Sequence, residues 1–106
     1  MSEVISIAPA DVMDKVNQGA YLVDIRDINS YQLSHIKNST RIDNETLPTF
    51  LREADLDKPI IVCCYHGISS IQAAGFLAQQ GFDEVYSLTG GYTAYSVAHP
   101  EHCDLI

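Results

Sequence analysis

Basic residues are scarce in this chain. Six lysines and arginines face fourteen aspartates and glutamates, a net charge of −8, and the six are scattered without a basic run. Nucleic acid and anionic membranes bind through counterion release or charge attraction, so neither is expected as a partner. Long apolar runs are also missing. Ile60 to Tyr65, among the longest, falls far short of the roughly 20 residues of a membrane helix, and the N-terminus lacks a basic-then-apolar leader. The expectation is a soluble, cytoplasmic protein. Three cysteines cannot all pair internally, which favours reduced thiols over a disulfide framework. They form no familiar zinc spacing with His35, His99 or His102, and no metal or other cofactor is expected.

What is present is an ordinary globular balance: 106 residues, 46% apolar and 19% charged, enough for one domain spanning residues 1–106. Apolar runs alternate with helical patterns. Val4–Ile7, Tyr21–Ile25, Thr40–Ile42, Ile60–Cys64 and Glu84–Leu88 read as strands. Helices are expected from Pro9 to Asn17, as a turn at Asn29–Leu33, at Leu47–Ala54 with Asn44 and Thr46 as candidate caps, from Ser69 to Gln80, and around Tyr92–Ala98. Gly81 ends one helix, and Gly90-Gly91 is a turn before another. Strands alternating with helices predict an α/β fold, a mostly parallel sheet with helices on both faces.

The strand Ile60–Cys64 runs directly into the helix that begins at Ser69. Open α/β sheets place ligand sites at such strand ends, where the next helix presents unpaired N–H groups. Cys64 stands there. Gly67 can adopt backbone angles closed to other residues, and small Ser69 and Ser70 let the chain curl closely. Successive amides of this loop aimed inward would make an anion cradle reinforced by the helix dipole. The same field lowers a thiol pKa, so an accessible thiolate nucleophile is expected at Cys64. A strand-end cysteine is commonly just a small buried hydrophobe; the Gly- and Ser-rich turn weighs against that here. Cys63 points to the opposite face and belongs in the core, and Cys103 reads as an incidental thiol. His66 is either a proton shuttle or a solvated side chain. Ser69 and Ser70 are N-caps, hydroxyl donors to the site, or both. Asp24, Arg26 and Asp27 are assigned a structural role at the end of the second strand, and the six tyrosines one in packing.

Val23-Asp24-Ile25-Arg26-Asp27, Ser34-His35-Ile36, Cys64 with its loop, and Leu88-Thr89-Gly90-Gly91-Tyr92 together resemble the rhodanese domain over nearly the whole chain. The loop looks most like that of the bacterial single-domain thiosulfate sulfurtransferases. The resemblance implies a five-stranded, mostly parallel sheet. It also implies a ping-pong reaction in which a Cys64 persulfide carries the outer sulfur of thiosulfate to cyanide or a thiol such as thioredoxin, with release of sulfite. By the same resemblance, the amides of Tyr65 to Ser70 cradle that persulfide without a cationic side chain. Three positions depart from the family pattern: Ser34 replaces a usual glycine, Tyr95 a usual tryptophan, and Ile68 stands where a polar residue is common.

A cysteine phosphatase uses the same strand, loop and helix, but needs an arginine to clamp phosphate in two places. In the cysteine-x5-arginine pattern that place is Ser70. A docking module without chemistry is the alternative from another class; degenerate domains of that kind typically lack the cysteine that is present here.

Overall fold

The computed structural model describes residues 3–105. Five strands form one parallel sheet in the order β1-β6-β5-β2-β4: β1 (Val4–Ile7), β2 (Tyr21–Asp24), β4 (Thr40–Arg41), β5 (Ile60–Cys63) and β6 (Val85–Leu88). The central strand β5 has a continuous apolar sequence. All four residues of β5 and of β6 are buried, as a parallel strand covered on both faces requires. Leu22, Ile61, Cys63, Tyr86 and Leu88 fill one face with Val12 and Tyr95, while Val23, Ile60, Val62 and Val85 fill the other with Ala74, Leu77 and Phe82.

Helices cover both faces, as expected. α1 (Pro9–Asn17) and α5 (Gly91–Ala98) lie on the first; α3 (Leu47–Glu53) and α4 (Ser69–Gln79) lie on the second. The short helix α2 (Ile28–Leu33) follows β2. The chain leaves β2 toward β4 on one side and β5 toward β6 on the other, so its direction across the sheet reverses between β2 and β5. Their carboxyl ends therefore flank the crevice in which such sheets bind ligands.

Three local details differ from the sequence expectation. A second, antiparallel ribbon pairs β3 (Ser34–Ile36) with β7 (Cys103–Leu105); its strands are too short and too distant in sequence to show a pattern of their own. Asn44 and Thr46 do not cap α3 through their side chains. Thr46 holds the cap position without such a bond, and the Asp43 carboxylate accepts from the Glu45 and Thr46 amides instead, at 2.9 and 3.0 Å. Ile68, rather than a serine, is the N-cap of α4, because Ser69 and Ser70 already have helical backbone and their first-turn amides are free for another acceptor.

Candidate active site

Cys64 is the first residue beyond β5, and its sulfur takes up those free amides. The Gly67 N–H donates to Cys64 Sγ at 3.1 Å and the Ser70 N–H at 3.3 Å. The latter belongs to the first turn of α4, the positive end of its dipole. Burial pushes the Cys64 thiol up, but the Ser70 hydroxyl and the amides of Ser70, Gly67 and His66 outweigh it and hold the thiol below its ordinary value. Cys63 shows the contrast. It is fully buried, and desolvation with the neighbouring Asp24 charge drives its thiol far upward, where it stays protonated. Adjacent cysteines thus take opposite character, one inside β5 in the core and the next just beyond it among the loop amides.

The amides face inward because something else holds their carbonyls. The Tyr92 N–H donates to the Cys64 carbonyl at 2.7 Å and the Thr93 N–H to the Tyr65 carbonyl at 3.1 Å. A trans peptide is planar, with C=O and N–H opposed, so a Tyr65 carbonyl tied to α5 turns the His66 N–H toward the sulfur. Gly90-Gly91 makes this approach feasible. A Cβ on Gly91, at φ +63°, would lie 2.6 Å from the Cys64 and Tyr65 carbonyl oxygens; one on Gly67, at φ +84°, would lie 2.7 Å from the Gly90 nitrogen. Sequence predicts a turn at Gly90-Gly91 but not its contact with the loop, which is made through space.

Asp24 and Arg26 form the floor. Arg26 bonds the buried Asp24 carboxylate through Nε and Nη2 at 2.9–3.1 Å and reaches the Ser34 carbonyl at 2.7 Å. Its guanidinium lies 4.0 Å from the Tyr92 ring centroid. This cation is therefore bound to structural partners, as the sequence suggested. Asp27 caps α2 through the Ser30 amide, and Ser30 Oγ meets the Tyr65 hydroxyl at 2.8 Å, which ties the loop to α2. Ser34, one departure from the family pattern, bonds its hydroxyl to that of Tyr92. Tyr95, another, fills the core and meets His102 Nδ1 at 3.1 Å.

One expectation needs correction. Cys64 is only 3% exposed, not openly accessible, because the loop that supplies its amides also wraps it. Tyr65, His66, Ile68 and Ser69 are exposed around it, while Ser70 is buried. A cavity of about 420 Å³ lies aside, between α3 and α4, with Leu47, Phe76 and Leu77 in its wall; Cys64 is not part of it. Elsewhere, His99, Glu101 and His102 bring ligand-type atoms within 4.8 Å of one another. Their contacts of 3.6 and 3.9 Å about Glu101 Oε1 have ion-pair reach, wider than the roughly 3.4 Å edges of a tetrahedral zinc site. The sequence reading paired histidines with cysteines and so overlooked Glu101.

A strand-end cysteine inside a loop of amides on a parallel sheet defines a class of thiolate sites, and similarity to known proteins says which family this one falls in. The family described as Rhodanese-like domain matches residues 8–98, and the chain belongs to it. Among its relatives is the thiosulfate sulfurtransferase GlpE of Ectopseudomonas mendocina strain ymp, 49% identical over 94% of this chain and 92% of that protein. The thiosulfate sulfurtransferase GlpE of Pseudomonas syringae pv. syringae strain B728a is 45% identical over 95% of each chain. Among solved structures, reduced Bacillus anthracis CoADR-RHD superposes with a TM-score of 0.81 at 30% identity; the match covers 94% of this chain and 18% of that one. The rhodanese-like domain of an Anabaena protein superposes at 0.80 with 22% identity, covering 95% and 79%, a likeness of fold.

A lowered thiol has a consequence in pH. The thiolate is present above the lowered midpoint and lost as pH falls through it. Alkylation of Cys64 by iodoacetamide is therefore expected to reach half its maximal rate below the ordinary cysteine value of 9.0. A midpoint at or above that value would contradict the amide cradle.

Proposed function

We propose that this protein is a thiosulfate sulfurtransferase whose Cys64 carries the transferred sulfur as a persulfide. The observation that supports it is the set of amide bonds on the Cys64 sulfur, from Gly67 and Ser70, with no cationic side chain in the loop. The Cys64 thiolate attacks the outer sulfur of thiosulfate in line. A bond forms between Cys64 Sγ and that sulfur, the original sulfur–sulfur bond breaks, and sulfite leaves with its electron pair. A nucleophilic acceptor then attacks the outer sulfur of the persulfide, and the electron pair of the broken bond returns to Cys64 as thiolate. Loop amides stabilise negative charge on sulfur throughout, the role of preorganised donors in any oxyanion-type site. Both helical layers pack on one sheet, which supports one domain doing this alone.

The strongly acidic chain repels a dianion at long range. Affinity for thiosulfate then rests on loop geometry, and should be modest. Phosphate chemistry is disfavoured because Ser70, buried against β6, occupies the place where a phosphatase clamps with arginine. The test is a paired assay. Thiosulfate with cyanide is expected to yield thiocyanate and sulfite, whereas p-nitrophenyl phosphate stays intact; phosphatase turnover without sulfite release would reverse the assignment.

Cyanide serves as a small acceptor. The rim supports a larger one. Ile68 is 77% exposed, and Tyr65 and Ile71 beside it are also exposed, which suits a thiol set in apolar protein surface, such as that of a thioredoxin. Partial burial of Ile68 against such a partner contributes about 1 kcal/mol. Ile68→Asn should accordingly slow transfer to thioredoxin roughly fivefold and leave transfer to cyanide unchanged. Equal effects on both acceptors would remove Ile68 from acceptor choice.

A further inference from the structure

Ser87 is a polar residue where the sheet asks for an apolar one. It lies in β6 between Tyr86 and Leu88, opposite Val62 of β5, and is 3% exposed. Its hydroxyl meets Ser70 Oγ at 2.7 Å, and Ser70 itself is wholly buried. Ser70 is also the residue whose amide binds the Cys64 sulfur at 3.3 Å. Ser87 thus holds the side chain of the residue whose amide binds the reactive atom and whose hydroxyl also keeps that thiol low.

Two hydroxyls at that distance share one proton. If Ser70 donates to Ser87, the oxygen lone pairs of Ser70 are left to face the sulfur, and a thiolate is repelled. If Ser87 donates, the Ser70 proton is free to point at the sulfur, and each bond polarises the next. An anionic sulfur selects the second orientation. We propose that Ser87 is a positioning residue: it donates to Ser70 Oγ, fixes that side chain, and turns the Ser70 O–H toward Cys64. Ser87 does not touch the reacting atoms. The inference rests on Cys64 being the reactive thiolate of the site described above.

The other ionisable groups around the loop are His66 and Tyr65, both exposed, Tyr92 of α5, whose hydroxyl bonds Ser34, Cys63 on the opposite face of β5, and Arg26, which is paired with Asp24. None of them bonds Ser87, so a change at Ser87 reads through Ser70.

The experiment follows the pH profile of iodoacetamide alkylation, mapped to Cys64 by peptide mass. It uses no thiosulfate, so its failure is separate from failure of the sulfur-transfer reading. Ser87→Ala is expected to raise the midpoint by about half a unit, roughly a threefold loss of thiolate at low pH, and Ser87→Thr to restore it. In a Ser70→Ala background, Ser87→Ala should add no further shift, because the relay is already cut. If Ser87→Ala does not fold, Ser87→Cys, with a similar volume and a weak donor, is measured the same way. A Ser87 variant that folds with the wild-type midpoint, or a full additional shift in the Ser70→Ala background, would overturn the proposal.

Discussion

Cys64→Ser is expected to abolish thiosulfate-dependent sulfite release, a fall of roughly 10⁴-fold or more in turnover. The substitution is nearly isosteric, so the cradle of Gly67 and Ser70 amides should persist around the new hydroxyl. What disappears is the nucleophile. A serine hydroxyl stays protonated at neutral pH, and oxygen cannot accept and release sulfur reversibly as a thiolate does. Cys63→Ala and Cys103→Ser are the controls. Cys63 is sealed in the core with its thiol driven upward, and burial likewise raises the Cys103 thiol. Neither can stand in for Cys64, and both variants should keep turnover within a few-fold of wild type. Retained turnover in folded Cys64→Ser would place the reaction elsewhere.

The second large effect comes from a residue with no side chain. In Gly91→Ala the new methyl would lie 2.6 Å from the carbonyl oxygens of Cys64 and Tyr65, and φ at +63° disfavours any Cβ. Backbone atoms cannot yield as the tip of a flexible side chain can. The start of α5 must withdraw, and the bonds from Tyr92 and Thr93 to those carbonyls lengthen or break. Without them the loop peptides are free to rotate, and the amides no longer converge on the sulfur. Loss of a preorganised donor costs about 10²- to 10³-fold in comparable sites, and transfer should fall by at least that lower figure. Stability should fall by about 2–4 kcal/mol. The distinguishing readout is Cys64 alkylation, whose midpoint should move upward in Gly91→Ala, measured well below the melting temperature. A loop that kept its low thiol despite the methyl would show that the α5 clamp does not orient the amides.

The sequence alone reaches only part of this structure. All five strands of the sheet and the helices around them are where apolar runs and helical spacing put them, because both faces of β2, β5 and β6 are covered and their sequences show it. Cys64 and its loop were legible for the same reason, as a strand-to-helix junction rich in small residues. The clamp by α5 was not, since Gly90-Gly91 lies more than twenty residues downstream and only folding brings it under the loop. Ser87 gave no signal either: one serine in an apolar strand looks like a tolerated substitution until Ser70 is seen against it. The burial of Cys64 was misread because inward amides and an open sulfur were both expected, and a loop tight enough for the first closes over the second. The ribbon of β3 and β7 depends on a pairing across the length of the chain, which no local pattern reports.

The central claim is that Cys64 carries sulfur, and intact-mass measurement tests it most directly. Reduced protein is incubated with thiosulfate, freed of excess reagent and weighed without added thiol. The account predicts a gain of one sulfur atom on the wild type, reversed by cyanide, and no gain on Cys64→Ser. An unchanged wild-type mass, or a sulfur atom retained on Cys64→Ser, would contradict it.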